Sequence, residues 1–236
     1  MIIHPAPQGS VEWFSARAGI PTASNFDKII TATGKPSSQA EGYMFKLIAE
    51  RMLGVMDEET SSFMQRGSAM EKEAVAWYEF ERGVKAVEIG FITTDSGRIG
   101  CSPDRLVGDD GLLEVKCPAA HTQIAYLLGD VSKTYKHQIQ GQLLVTGRKW
   151  VDWLSYCPGL PQSLIRIERD EEFINLLSVD LDCFCQRLNE QYAKLLALLP
   201  VKTPPPPEED TVDDLSFCPS QSYRGQRGLK WCASRR

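Results

Sequence analysis

The spacing of hydrophobic positions divides the chain into helical and extended segments. Apolar residues recur three and four positions apart in several stretches, and this period predicts helices. The predicted helical segments are residues 10–34 (two short helices), 43–53, 66–82, 119–128, 134–146 and 170–199. Shorter apolar runs bounded by turn residues predict strands. The predicted strands are residues 84–91, 98–104, 112–116, 149–156 and 163–168.

A predicted hairpin in the middle of the chain carries a concentration of candidate chemistry. Asp104 closes one apolar run, residues 108–111 form a Gly-Asp-Asp-Gly turn, and Glu114 and Lys116 follow. Alternate side chains of a strand share a face, so Glu114 and Lys116 point the same way and Val115 points to the other face. Pairing across the turn would bring Asp104 close to them. Two carboxylates and an ammonium form a hard-cation site with a water-handling lysine.

The same hairpin also fits a plainer interpretation, in which Asp104, Glu114 and Lys116 form a surface salt bridge. The neighbouring side chains are mostly apolar. Ionised groups are costly to embed in such a strand unless they are paired or coordinate a metal. The apolar setting therefore favours the metal site.

The flanking helices offer further candidates. Glu71 lies on the core side of the segment 66–82, where it could supply a third acidic ligand or pair with a lysine or arginine. Ser24 follows Arg17 at a helix start, where it could cap the helix or, with the arginine, hold a phosphate. Gln138 suits hydrogen bonding to a polar partner, although a solvated glutamine shows the same pattern.

Composition limits the class of protein. The 236 residues are 42% hydrophobic and 24% charged, which is ordinary for a globular protein of one large or two small domains. The net charge of −5 argues against a basic coat for nucleic acid but leaves room for a local basic groove or bound metal ions. Seven cysteines without a C-x-x-C pair predict reduced thiols and no metal cluster. The start of the chain does not resemble a signal peptide and no run has the length of a membrane span, so we expect a cytoplasmic protein with no membrane partner.

The C-terminal part has a different composition from the rest. Residues 204–207 are all proline, and an acidic run follows them. The last stretch, residues 224–236, is basic and includes Trp231. We therefore expect a single domain over residues 1–200, followed over residues 201–236 by a proline-rich acidic linker and a basic tail.

Five motifs, taken together, resemble a known family. They are Trp13-x3-Arg17-x-Gly19 with Thr22-Ala23-Ser24; Arg66-Gly67-x3-Glu71; Cys101-Ser102-Pro103-Asp104; Leu113-Glu114-Val115-Lys116-Cys117-Pro118; and Gln138-x-Gln140 followed by Val145-Thr146. In this order and spacing they resemble the lambda exonuclease family of phage recombination alkaline exonucleases, within the PD-(D/E)xK nuclease superfamily. The resemblance runs from about Trp13 to Leu196. It implies an α/β (α+β) fold with a PD-(D/E)xK nuclease core, a central mixed β-sheet flanked by helices.

The resemblance also implies catalytic roles. Asp104, Glu114 and the backbone carbonyl of Val115 would bind Mg²⁺, and Glu71 would complete the acidic shell for a second ion, with Mn²⁺ able to substitute. Lys116 would orient or deprotonate the attacking water. By the same resemblance, Gln138 would hold the lysine or the substrate in place.

A 5′-phosphate pocket is implied as well, with Arg17, Ser24 and Ser102 around the terminal phosphate. The family adds a basic residue after its Cys-Pro pair, where this chain offers only His121. Relatives often follow the glutamine pair with an aromatic residue, whereas this chain has Gly141.

The function implied is a Mg²⁺-dependent 5′-to-3′ exonuclease that digests one strand of linear double-stranded DNA and leaves 3′ single-stranded overhangs. The resemblance further implies a ring-shaped homotrimer, a single-strand annealing partner protein, and a phage or prophage origin in a bacterial host. Two alternatives remain. A PD-(D/E)xK endonuclease of restriction or repair type is disfavoured by Arg17 and Ser24. A catalytically silent DNA-end-binding module is disfavoured by the intact set of Asp104, Glu114 and Lys116.

Overall fold

Helices and strands follow one another along the whole of the chain that is described. The computed structural model describes residues 1–31, 33–54, 62–129 and 131–199, with backbone alone for residues 62–69, 131 and 132. In chain order the elements are β1 (Ile2–His4), α1 (Val11–Arg17), a 3-10 helix (Ala23–Lys28), α2 (Ala40–Leu53), α3 (Ser62–Arg82), β2 (Ala86–Glu88), β3 (Phe91–Thr93), β4 (Gly100–Cys101), β5 (Arg105–Val107), β6 (Gly111–Lys116), α4 (Ala120–Leu128), α5 (Val131–Thr134), α6 (Lys136–Thr146), β7 (Trp150–Ser155), β8 (Ser163–Glu168) and α7 (Glu171–Leu198).

The larger sheet is mixed. Its five strands lie in the order β2-β5-β6-β7-β8. Strands β6 and β7 are parallel, with Glu114 opposite Trp153, and the other pairs are antiparallel. A parallel pair needs a long crossover, and here α4, α5 and α6 provide it. This sheet, with helices packed against it, confirms the predicted fold class.

A smaller sheet positions the start of the chain. Strands β1, β3 and β4 form it, in that order. Thr22 forms a bridge to Gly100 of β4, which brings the 3-10 helix beside this sheet. Gly100 lies so close to Phe91 that a Cβ at that position would overlap the aromatic ring. The close approach places the residues after β4 next to α1 and the 3-10 helix.

Helix α6 is almost entirely buried and packs against the 3-10 helix, α7, β4 and β7. A Cβ at Gly141 would overlap the ring of Phe26, which lies in the 3-10 helix. The glycine therefore lets an aromatic ring from elsewhere in the chain occupy the space beside α6.

The predicted strand boundaries around Asp104 are wrong. Residues 84–91 and 98–104 do not form two long strands; they contribute β2, β3 and β4, which belong to different sheets. The partner of β6 across the turn is Arg105–Val107, so Asp104 precedes this strand instead of closing it. Pro103 has no N–H to donate to a ladder, and the chain passes from one sheet to the other at residues 102–104.

The predicted proline-rich linker and basic tail, residues 201–236, lie outside the described residues, and the division at residue 200 stays a prediction. Among the helices that the structure describes, none combines the length and apolar character that a membrane crossing requires.

Candidate active site

Asp104 is fixed onto β6 by a backbone hydrogen bond. Its Oδ2 accepts from the N–H of Val115 at 2.6 Å. The contact spans the hairpin and holds the Asp104 carboxylate beside Glu114. Burial, together with the negative charge of Glu114, raises the pKa of Asp104 well above its usual range.

Glu114 lies at the centre of a set of donors. Its side chain is 3% exposed. Oε1 accepts from Lys116 Nζ at 2.5 Å and from Gln138 Nε2 at 2.5 Å, and Oε2 accepts from Gln142 Nε2 at 2.7 Å. Gln138 and Gln142 lie one turn apart on the same face of α6. The structure thus places Gln138 on the carboxylate of Glu114, where it shares an oxygen with Lys116.

Lys116 carries the positive charge that balances these carboxylates. Burial alone lowers the pKa of Lys116, but the negative charges of Glu114 and Asp104 outweigh burial and raise it above the ordinary lysine value. The ammonium lies 5.3 Å from the centre of the Tyr135 ring, and the Tyr135 hydroxyl lies 2.6 Å from that of Tyr126. Without a bound cation, the lysine is therefore held in its charged form.

Glu71 lies near this cluster but points its carboxylate to an arginine. Arg105 Nη1 donates to Glu71 Oε1 at 2.9 Å and to the backbone carbonyl of Asp104 at 2.6 Å. The negative charge of Glu71 also contributes to the raised pKa of Asp104. Within residues 1–31, 33–54, 62–129 and 131–199, no three acidic, histidine or cysteine side chains converge closely enough to hold a metal ion. The role of Glu71 as a third ligand remains a prediction.

The donors are nevertheless of the right kind for a hard divalent cation. Asp104 and Glu114 offer carboxylate oxygens, the ligands that Mg²⁺ prefers. The raised pKa of Asp104 shows that its ionised form is disfavoured where it lies, and a cation would relieve that cost. Glu114 Oε1 is held by two partly exposed side chains, Lys116 and Gln138, which can turn away to admit a cation. The residues present therefore fit such an ion.

A second cluster adjoins the carboxylates. Arg17 is 7% exposed, and its guanidinium lies 4.0 Å from the centre of the Trp13 ring. Ser102 Oγ accepts from Arg17 Nη1 at 2.8 Å and from Trp13 Nε1 at 3.2 Å. With two donors on its oxygen, Ser102 directs its own hydroxyl hydrogen elsewhere. Ser102 precedes Asp104 by two residues, so this cluster of Trp13, Arg17 and Ser102 lies close to the carboxylates in the chain.

Ser24 lies at the edge of the Trp13, Arg17 and Ser102 cluster. It is exposed, and its hydroxyl is 3.3 Å from that of Thr22, the residue that forms a bridge to Gly100. His121 is exposed in the first turn of α4. The structure thus brings Arg17 and Ser102 into direct contact, and it connects Ser24 to their neighbourhood through Thr22.

Three residues at the site had no role assigned from the sequence. Trp13 supports Arg17, Arg105 binds Glu71, and Gln142 binds Glu114. The spacing of four between Gln138 and Gln142 is the signal that could have identified Gln142, because it places both amides on one helix face. Arg105 gave no such signal, since Glu71 lies on helix α3, 34 residues away in the chain.

The chain is similar to known proteins in sequence and in structure. Residues 12–149 match the family described as YqaJ-like viral recombinase domain. The structure is similar to that of an alkaline exonuclease, LHK-Exo, from Laribacter hongkongensis, at 35% identity and a TM-score of 0.72, covering 80% of this chain and 97% of that one. The complex of LHK-Exo with dAMP gives 36% identity and a TM-score of 0.73 over the same shares.

A more distant structural match supports the fold alone. It is a phage related exonuclease from Haemophilus somnus 129PT, with 14% identity and a TM-score of 0.63, covering 75% of this chain and 96% of that one. A search of curated proteins finds no match.

Proposed function

Because the chain belongs to the YqaJ-like viral recombinase family, we propose that it is a Mg²⁺-dependent 5′-to-3′ exonuclease that digests one strand of linear double-stranded DNA. Family membership confirms the resemblance to the lambda exonuclease family and makes the chain a phage-type exonuclease. The metal, the polarity and the 3′ single-stranded overhang are the further steps of the proposal.

One observation carries these steps: the carboxylates of Asp104 and Glu114 lie near a part-buried contact between Arg17 and Ser102. Asp104 and Glu114 share one ammonium, that of Lys116, and Ser102 in the adjoining turn accepts from Arg17. The first group suits hydrolysis of a phosphodiester, and the second suits a terminal phosphate. Removal of a nucleotide from the end of a DNA strand needs both groups of residues.

The residues of the carboxylate cluster take separate roles in this proposal. Asp104, Glu114 and the carbonyl of Val115 hold Mg²⁺, Glu71 serves a second ion, and Mn²⁺ can replace either. The chemistry that divalent cations supply at such a site is polarisation of the scissile phosphate and neutralisation of the leaving oxygen. Lys116 orients or deprotonates the attacking water, and it must leave Glu114 Oε1 to do so.

Gln138 contributes by holding the carboxylate. Its Nε2 lies 2.5 Å from Glu114 Oε1, so the amide orients this carboxylate until a cation displaces it from that oxygen. We assign it a positioning role toward Glu114.

The proposed direction of digestion rests on the side chains that would hold a terminal phosphate. Arg17 offers a planar fork of N–H donors, which can make paired bonds to a terminal phosphate. Ser102 and Ser24 add hydroxyls. A terminal 5′-phosphate held there would set the scissile bond at a fixed position relative to Asp104 and Glu114, and this favours removal of nucleotides from the 5′ end.

The assembly and setting of the enzyme complete the proposal. We propose a ring-shaped homotrimer that retains the DNA product and a single-strand annealing protein that receives the overhang, in the cytoplasm of a bacterial host that carries the phage or prophage. Residues 1–200 form the nuclease domain, and residues 201–236 are a linker and tail that hydrolysis does not need.

The test is digestion of a linear duplex whose strands carry different fluorescent labels. One 5′ end carries a phosphate, the other is blocked, and a covalently closed circle of the same sequence serves as the endonuclease control. We expect Mg²⁺-dependent loss of the phosphorylated strand from its 5′ end, an intact circle, and no digestion by Asp104→Ala. Cutting of the circle would support an endonuclease, and end binding without hydrolysis by the wild type would support a silent module.

A further inference from the structure

Gln142 is a buried residue whose side-chain NH₂ group is hydrogen-bonded to Glu114. It is 1% exposed, and its Nε2 donates to Glu114 Oε2 at 2.7 Å. Its Oε1 is also buried and receives no hydrogen bond from any residue that the structure describes. The amide therefore serves Glu114 and leaves its own oxygen unsatisfied.

The hydrogen bonding of Gln142 itself is incomplete in this arrangement. A buried polar atom without a partner costs about 1–3 kcal/mol. Rotating the amide by half a turn would not help, because Gln142 Oε1 would then face the oxygen of an ionised carboxylate. A side chain of similar size without polar atoms would avoid this cost at position 142 but would leave the buried Oε2 of Glu114 without its donor, so the position of Gln142 points to a role toward Glu114.

The two oxygens of Glu114 have different surroundings. Oε1 is held by Lys116 and Gln138, both of which are partly exposed. Oε2 is held by Gln142, which is buried. A cation that displaces Lys116 and Gln138 therefore meets Oε1, whereas Oε2 stays bonded to the amide behind it.

We propose that Gln142 restricts Glu114 to binding a cation through one oxygen and thereby disfavours Ca²⁺ relative to Mg²⁺, an inference that rests on the proposed role of Glu114 as a metal ligand. Mg²⁺ requires near-octahedral geometry and accepts one oxygen from each carboxylate. Ca²⁺ takes more oxygens in a flexible shell and often uses both oxygens of one carboxylate. Holding Oε2 in a hydrogen bond removes that option.

The test compares cation binding by the full chain without DNA. Calorimetric titrations with Mg²⁺ and with Ca²⁺ are made on the wild type, Gln142→Met and Gln140→Met. The last is a matched control, because Gln140 is a buried amide on the same helix that binds Glu168 O and the N–H of Asp170 instead of Glu114. We expect the affinity for Ca²⁺ relative to Mg²⁺ to rise about tenfold in Gln142→Met, the lower end of the range for residues that orient a metal ligand, and to stay unchanged in Gln140→Met.

Glu114→Gln distinguishes a failure of the proposed metal site from a failure of the proposed role of Gln142. If Glu114→Gln binds both cations like the wild type, the proposed metal site is wrong and the inference fails with it. If Glu114→Gln loses binding but Gln142→Met keeps the wild-type ratio, the role of Gln142 alone is wrong.

Infrared spectroscopy tests the same point without a change at Gln142, in case the methionine variant does not fold. Carboxylates bound through one oxygen show a wider separation of the antisymmetric and symmetric stretching bands than those bound through two. The difference between wild type and Glu114→Gln isolates the bands of Glu114. With Ca²⁺ present we expect the one-oxygen pattern, and a two-oxygen pattern in the wild type overturns the inference.

Discussion

Replacing Arg17 by alanine should remove the preference of the enzyme for a 5′-phosphorylated end. The guanidinium is buried against Trp13, bonds to Ser102 Oγ at 2.8 Å, and adjoins the turn that carries Asp104. In Arg17→Ala the terminal phosphate loses a charged, two-pronged donor. A 5′-hydroxyl end has no phosphate to lose, so its digestion should change little.

The size of the effect follows from the kind of contact. A hydrogen bond to a charged group contributes about 1.5–3 kcal/mol, which corresponds to roughly a 10- to 150-fold change in rate. Trp13→Phe keeps an aromatic ring under the guanidinium but removes the Nε1 donor to Ser102. That variant loses a neutral hydrogen bond of about 0.5–1.5 kcal/mol at most, so we expect a reduction of no more than roughly tenfold.

The assay measures time courses on two duplexes that differ only in the 5′ group. The ratio of the two rates is the reported quantity, because partial misfolding of a variant lowers both rates equally. Arg98→Ala is the matched control, since Arg98 is a half-buried arginine whose side chain binds Asp182 on α7. Equal wild-type rates on the two duplexes, or a wild-type ratio in Arg17→Ala, would show that Arg17 does not recognise the 5′-phosphate.

Three further changes test the carboxylate cluster and the tail. Lys116→Met should abolish digestion and lower the metal-free free energy of unfolding, measured in urea, by roughly 1.5–3 kcal/mol, because Glu114 loses a charged donor. Asp104→Asn should be inactive yet more stable than the wild type without metal at pH 8. The pKa of Asp104 is higher in the folded protein than its unfolded value of about 3.8. Below the unfolded pKa, Asp104 therefore contributes favourably to the free energy of unfolding, and this contribution is lost as the pH rises through the folded pKa. The difference in the free energy of unfolding between Asp104→Asn and the wild type should therefore shrink toward pH 4. At pH 8, Mg²⁺ should also reduce this difference, because it stabilises the wild type alone. Deletion of residues 204–236 should leave digestion of linear duplex at the wild-type rate.

Each of these expectations has an opposing outcome. Full activity of Lys116→Met would remove the lysine from the reaction. A metal-free Asp104→Asn that is less stable than the wild type at pH 8 would show that the attraction of the ionised carboxylate to Lys116 and its charge-assisted bond from Val115 outweigh the cost of burying the charge. A folded but inactive deletion variant would place the basic tail on the DNA path.

The sequence by itself determined the features that depend on local period. The face shared by Glu114 and Lys116 follows from alternation along a strand, and the two residues are in contact in the structure. The spacing of four between Gln138 and Gln142 likewise places both amides on one helix face, because a helical turn repeats every three to four residues. The order of motifs identified the family, and with it the mixed sheet, without any coordinates.

Tertiary structure decided how these local faces meet. Asp104 reaches Glu114 from the crossing between two sheets, and a pattern of apolar residues does not show where one sheet ends and another begins. Glu71 turns to Arg105, a choice between partners that helix periodicity leaves open.

Contacts between distant parts of the chain are beyond any local signal. Arg17 and Ser102 are 85 residues apart, and they meet because Gly100 permits close packing of β4 beside Thr22. Gln142 is four residues from Gln138, yet only the packing of α6 against the sheet shows that both amides bind one carboxylate, on opposite oxygens. The spacing of residues along a helix or strand determines which side chains share a face. Packing across the whole domain determines which residues that face contacts.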